Sequence, residues 1–239
     1  MTLITRQIAI PGRLHATDLS LASGQLVALV GPNGGGKTSL LRALARVEEA
    51  SGSVIIDGEE VASLGEARRR RLLSFLQASR DLAWPITARD VIALGLGTRD
   101  DARIADLVIS MELSEFADRP VNSLSTGERT RVLIARAMAA RPRVLLLDEP
   151  FANLEPYWVL RLGELLRGLA TNGALVLVAL HDLHQLDRFD RALLIAEGAV
   201  QMDEAPADLM ASERFEKTFR IRAAPGGWRI RPADQISLQ

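Results

Sequence analysis

Short runs of consecutive apolar residues recur along the chain: Leu26 to Val30, Val54 to Ile56, Leu72 to Leu76, Val144 to Leu147, Leu175 to Ala179 and Leu193 to Ile195. Each has strand length, several are rich in Val and Ile, and turn or charged residues bound most of them. Runs without polar alternation predict strands buried on both faces. Helix-period patterns lie between them, over Thr38 to Val47, Ala88 to Leu94, Asp101 to Met111, Thr126 to Ala140, Tyr157 to Ala170 and Asp182 to Arg188. This alternation predicts an α/β fold with a mainly parallel sheet. The stretch from about Ser79 to Arg141 reads as mostly helical, as an insertion into that core. From Ala205 the chain is helical at first and then reaches Ala224-Pro225-Gly226-Gly227. No internal repeat or low-complexity segment is visible.

Composition narrows the classes. The 239 residues are 48% hydrophobic and 25% charged, which suits a globular domain with a sizeable core. With 29 basic and 30 acidic residues the net charge is -1, so binding to nucleic acid by bulk charge is excluded. There is no cysteine, which removes disulfides, thiolate metal sites and Cys nucleophiles. Aromatics at 4% argue against base-stacking platforms. No apolar run reaches the length of a membrane span, and Met1 to Arg6 lacks the pattern of a signal peptide. The expectation is a soluble, non-secreted protein.

Two segments carry chemistry. Gly31-Pro32-Asn33-Gly34-Gly35-Gly36-Lys37-Thr38 matches G-x-x-x-x-G-K-[ST], between a predicted strand and a predicted helix. Glycines let the backbone wrap a phosphate with its N–H groups inward, and the helix N-terminus adds partial positive charge. Lys37 suits the β- and γ-phosphates, and the Thr38 hydroxyl suits Mg²⁺. The expected nucleotide-binding set is Gly31, Pro32, Asn33, Gly34, Gly35, Gly36, Lys37, Thr38 and Ser39. The second segment, Val144 to Glu149, is an apolar strand ending in two acids. Ligands of open parallel sheets sit beyond the carboxyl ends of strands, which puts Asp148 beside the loop as a Mg²⁺ ligand and Glu149 as a general base or water-orienting group.

Leu124-Ser125-Thr126-Gly127-Glu128 opens the helix before the Asp148 strand and closely resembles the L-S-G-G-Q signature of ABC ATPases. Together the three motifs resemble an ABC transporter ATP-binding subunit from the phosphate loop to His181. The resemblance implies one ABC ATPase domain over 1–239. Its RecA-like core would span about 1–78 and 142–239, its helical subdomain about 79–141, and an antiparallel β region would lie at the N-terminus. It implies Gln77 as the glutamine that touches Mg²⁺ and the attacking water, and His181 as the histidine at the γ-phosphate. It also implies two ATP molecules sandwiched between two copies of the chain, with Ser125, Gly127 and Glu128 of one copy facing Lys37, Asp148 and Glu149 of the other. The implied partners are membrane permease subunits and a solute-binding protein, with no nucleic acid, at the cytoplasmic face of the membrane. Phe75-Leu76-Gln77 through Trp84-Pro85 to Val91 and Gly95 resembles importers of iron chelates, haem and vitamin B12. Phe75 and Trp84 are candidates for the groove that meets the permease, Phe75 being read rather as core. The alternatives are the ATPase of an exporter or zinc importer, or a soluble non-transport ABC ATPase.

Four departures from the family pattern stand out. Thr126 replaces a glycine, which implies an ordinary backbone conformation there. Glu128 replaces glutamine, and Glu155 in Ala152-Asn153-Leu154-Glu155 replaces aspartate. Residues 1 to 23 hold no Phe, Tyr or Trp to stack on adenine, which leaves Arg13 or His15 for that contact. The run Arg68 to Arg71 has two readings, a face toward lipid headgroups or a solvated face, and a charge run of this kind favours the solvated one.

Overall fold

The computed structural model describes residues 2–79, 85–224 and 227–231. The elements in chain order are β1 (Thr2–Ile10), β2 (Leu14–Ala22), β3 (Leu26–Val30), α1 (Lys37–Ala45), β4 (Ser51–Ile56), β5 (Glu59–Glu60), α2 (Glu66–Leu72), β6 (Leu73–Leu76), α3 (Ala88–Ala93), α4 (Asp101–Ser110), α5 (Thr126–Met138), β7 (Val144–Asp148), α6 (Pro156–Thr171), β8 (Leu175–Ala179), β9 (Arg191–Ala196), β10 (Ala199–Glu204), α7 (Pro206–Ala211), α8 (Glu213–Phe219), β11 (Ile221–Ala224) and β12 (Gly227–Ile230). The central sheet runs β10-β9-β3-β8-β7-β6, parallel except for β10. A second sheet, β2-β1-β4-β5, is antiparallel.

The unalternating strands are buried on both faces, as their composition requires. Leu26, Ala28 and Val30 of β3, Leu145 and Leu147 of β7, and Val176 and Val178 of β8 pack into one cluster with the helices α3 to α8. The intervening residues Val27, Leu29, Val144, Leu146, Leu175 and Leu177 enter the other cluster, with α1 and the antiparallel sheet. The period of two along each strand thus separates two cores. Phe75 is half-buried against the second cluster, in line with the core reading; Trp84 lies outside the described residues. Among the described residues no helix is long and apolar enough to cross a membrane.

Two expectations change. Asp182 to Arg188 is a 3₁₀ segment over Leu183–Arg188, with the Asp182 side chain accepting from the His184 amide. It is short, and a capped 3₁₀ turn closes such a connector without the full α-helical ladder. The Arg68 to Arg71 run is not simply solvated. Arg69 donates to the carbonyls of Ala45 and Arg46 at the end of α1, and Arg70 donates to Leu96 O at 3.0 Å and pairs with Glu66. Arg68 pairs with Glu59, and only Arg71 of the four lacks an ion pair or side-chain hydrogen bond among the described residues.

A buried cation fixes α5 to its neighbours. Arg131, 9% exposed, donates to Met111 O at 2.8 Å and Glu112 O at 3.0 Å beyond the end of α4. Its guanidinium carbon stands 4.3 Å from the ring centre of Trp158 on α6. Replacing it with an apolar side chain strands two carbonyls and removes the cation–π contact. Arg131→Met is expected to lose about 2–3 kcal/mol, read as a lower midpoint in urea unfolding with an unchanged slope.

Candidate functional site

The loop Gly31 to Gly36 leaves β3 at the centre of the sheet and runs into α1. Its glycines answer two distinct demands. A Cβ on Gly31 would stand 2.0 Å from the carbonyl oxygen of Ile195 on β9, so only glycine lets the loop pass that strand. Gly36, at the N-cap of α1, has φ of 111°, which side chains rarely adopt. Lys37 begins α1 and folds back into the loop, its Nζ donating to Gly31 O at 2.7 Å and Pro32 O at 3.2 Å. It is buried, and that desolvation lowers its pKa from the ordinary lysine value, against the opposing pull of Glu149 and Asp148.

Thr38, one residue further, donates from its hydroxyl to Asp148 Oδ2 at 2.8 Å. Asp148 ends β7, is 1% exposed, and is level with Ala179 at the end of β8. Two hard oxygen groups meet here beside a phosphate-type loop. Among the described residues no three His, Cys, Asp or Glu side chains form a metal cluster. This donor set suits Mg²⁺, which takes few protein ligands and keeps waters and substrate phosphates.

Glu149 turns away from the strand with φ of 50°, and its N–H donates to Ala179 O at 3.2 Å. A left-handed conformation at a non-glycine residue is uncommon and recurs at functional sites. The turn places Glu149 between two cavities. One, of about 570 Å³, is walled by Asn33 to Ser39 together with Gly12, Arg13, His15, Glu197 and Gly198. The other, of about 340 Å³, holds His181 and Asp182 with Phe151 and Gln185. Gly31 and Pro32 form the floor beneath Lys37 rather than the wall. Gln77 is exposed at the end of β6; Leu76 is in register with Leu147, so Gln77 leaves the sheet level with Asp148.

The signature segment lies apart from both cavities. Ser125 is the N-cap of α5, and its Oγ accepts from the Glu128 amide at 3.2 Å while Glu128 Oε2 accepts from the Ser125 amide at 2.8 Å. This capping box uses Glu128 on its own helix. It leaves the amides of Thr126 and Gly127 at the exposed helix start, where N–H groups have no intrahelical partner. Thr126 takes the ordinary helical conformation expected of a β-branched residue.

Sequence reasoning missed the wall opposite the loop. The turn Glu197-Gly198 has φ of 52° and 72°, the pattern of a tight hairpin between β9 and β10. Gly198 N donates to Gly35 O at 3.0 Å and Gly198 O accepts from His15 N at 2.7 Å, so one residue ties the loop to the N-terminal hairpin. The signal was Gly198 itself, a turn glycine whose partners lie far away in sequence. Of the two residues expected near a base, Arg13 is ion-paired with Glu48, and His15 faces the same cavity.

The family model for ABC transporters matches residues 14–152, more than half of the chain. The chain belongs to the ABC transporter family. It carries the ATP-binding cassette domain of that family, an ABC ATPase with a mostly parallel central sheet and an antiparallel N-terminal sheet. It is 35% identical over 224 residues to the cobalamin import ATP-binding protein of Halobacterium salinarum, covering 89% of this chain and 56% of that protein. The chain thus spans little more than half the length of that relative. It is 34% identical over 232 residues to the hemin import ATP-binding protein of Rhizobium meliloti, with 89% of this chain and 88% of that one covered. Among solved structures it resembles the dimeric post-hydrolysis ATP-binding cassette MJ0796 bound to ADP and Pi, at a TM-score of 0.77 and 25% identity, over 85% of this chain and 98% of that one.

The close approach of Gly31 to β9 gives a test of how the loop is built. Gly31→Ala must push the loop off Ile195 and is expected to cost about 1–3 kcal/mol. Thermal unfolding with and without nucleotide checks it: the midpoint should fall, and the upward shift on adding ATP should shrink.

Proposed function

We propose that this chain binds and hydrolyses ATP and energises the import of a metal chelate, of the cobalamin or haem type, through a membrane permease. The observation that carries the ATPase reading is the Thr38–Asp148 pair at the phosphate loop with Glu149 held between the two cavities. Lys37 and the amides of Asn33 to Thr38 bind the β- and γ-phosphates, with Ser39 beside them in the wall. Thr38 and Asp148, with Gln77 level with them, would hold Mg²⁺. When bound, the ion neutralises phosphate charge. Glu149 orients a water and accepts its proton, and its turned backbone aims the carboxylate away from the strand. His181, across the second cavity from Glu149, contacts the γ-phosphate. His15 is better placed for the base than Arg13, whose guanidinium already serves Glu48.

Ser125 and Gly127 act in the opposite site of a head-to-tail dimer, and Glu128 holds Ser125 in place. The dimeric form of the similar cassette supports this arrangement. The insertion of α3 to α5 between adjacent strands β6 and β7 supports a division into a core of about 1–78 and 142–239 and a helical subdomain of about 79–141. The two import proteins named above support uptake of a metal chelate. They also support partnership with permease subunits on the cytoplasmic face of the membrane and, in the complete system, with a solute-binding protein.

Glu149→Gln separates binding from chemistry. It should keep ATP affinity within a few fold and lower the hydrolysis rate by at least about a hundredfold, read by phosphate release under single turnover. Hydrolysis at the wild-type rate would remove Glu149 from the role of base. For the partner, a mild-detergent pull-down of the full chain from its host should recover a polytopic membrane protein at near-equal stoichiometry; recovery of soluble partners alone would overturn the transport reading.

A further inference from the structure

The nucleotide cleft sits at the carboxyl ends of the strands. The opposite ends of β7 and β8 carry a different feature. Two cavities of about 470 and 480 Å³ lie there and share Arg103 and Arg141 in their walls. Arg143 and Asn172 line the first, and Arg70, Arg71 and Asp100 line the second. Five arginines therefore face this space against one acid.

The arginines differ in what already holds them. Arg143 is ion-paired with Asp57, and Arg70 with Glu66. Arg103 donates to Ala139 O at 3.2 Å and Met138 O at 2.9 Å, the carbonyls that end α5. Asp100, the acid in the wall, accepts from the Arg103 amide at 2.9 Å as the cap of α4. Arg71 and Arg141 make no ion pair among the described residues, and both are exposed residues that line the second cavity. Arg141 stands just past the end of α5 with φ of 50°, a position that usually takes glycine. Burial, and after it the nearby charge of Arg141, lowers the pKa of Arg103 from the ordinary guanidinium value, against the opposing pull of Asp106 and Asp100. The backbone beneath is firm: Arg143 N donates to Arg71 O at 3.2 Å, and Leu175 N to Arg143 O at 2.8 Å.

We propose that Arg71, Arg103 and Arg141 form a binding site for a phosphate-bearing anion, separate from the nucleotide cleft. β7 spans five residues from Val144 to Asp148, so the two sites are separated by about 15 Å of strand. Guanidinium groups are matched to phosphate by their planar fork of donors, and a multiply charged phosphate relieves the repulsion among them. Cavities of this size admit a small ligand. The phosphate can come from a soluble polyphosphate or from an anionic lipid headgroup.

The test uses the full chain with saturating Mg–ADP, so that the phosphate-loop cleft is filled; a separate ADP titration reports failure of the nucleotide reading on its own. Tripolyphosphate is titrated by calorimetry into wild type and into Arg71→Ala/Arg141→Ala, two exposed positions outside the ATPase machinery. Wild type should show one further site, and the double variant should lose affinity by at least about tenfold, as the removal of a charged hydrogen bond implies. Co-sedimentation with phosphatidic acid vesicles against phosphatidylcholine vesicles forms the second arm. Binding that the double variant loses in only the vesicle arm assigns the phosphate to lipid; loss in the tripolyphosphate arm assigns it to a soluble ligand. No binding in either arm, or equal binding by wild type and variant, overturns the site. Arg141→Glu, which reverses the charge at an exposed position, should abolish binding where the alanine pair weakens it. ATP hydrolysis without added anion should be unchanged in all three proteins.

Discussion

Five adjacent parallel strands covered on both faces leave a sheet nowhere to place a charge except at the strand ends. Each residue of β3, β7 and β8 up to its last must be apolar, because one neighbour packs on the helices and the next on the antiparallel sheet. Asp148 is the boundary case: the last residue of its strand, almost wholly buried, and stabilised by the Thr38 hydroxyl from the start of α1. An isolated carboxylate at that depth would be expensive. The helix that follows the phosphate loop supplies its partner, so the loop, the helix and the strand end are one structural solution rather than three.

The same constraint explains the strain around the site. The chain must leave the sheet abruptly at β7, and Glu149 absorbs the turn in a left-handed conformation that costs a residue with a side chain about 1–2 kcal/mol. Packing on either side fixes it, through the Ala179 carbonyl above and the Ala152 amide that returns to Glu149 O. The tight passage of Gly31 beneath Ile195 is the mirror of this on β3. A rigid, pre-set cradle results, in which binding need not first organise the loop.

How far the sequence announced this depends on the range of the interaction. The strands β3, β7, β8 and β9 were legible because burial on both faces writes an unbroken apolar run. The phosphate loop was legible because glycine, lysine and a hydroxyl at fixed spacing answer local geometry. The strands β1 and β2 were not among the apolar runs: with one face toward solvent they alternate, as in His15, Asp18 and Ser20 of β2. They came only from the family resemblance. The cleft wall at Gly198 escaped because its partners, Gly35 and His15, are more than 160 residues away in the chain. The arginine run at 68–71 was misread since a list of charges does not reveal that carbonyls at the end of α1 await two of them. The role of Glu128 as the capping partner of Ser125 was written in the S-x-x-E spacing, but it had been taken up into the signature motif instead.

The order of strands also sets when this molecule comes into being. β3 lies between β8 and β9, so the strand that feeds the phosphate loop has no neighbour in its sheet until residue 179 has been made, and lacks its second until residue 196. The phosphate loop, the signature segment and Glu149 are present in the nascent chain before that, yet the sheet centre that holds them is incomplete. At ordinary translation speeds the interval is roughly ten to thirty seconds, during which β3 and α1 expose an apolar surface. Such non-local pairing is slow to form, and the antiparallel sheet of β1, β2 and β4, assembled from the first 56 residues, is what can shelter that surface while the rest of the chain arrives.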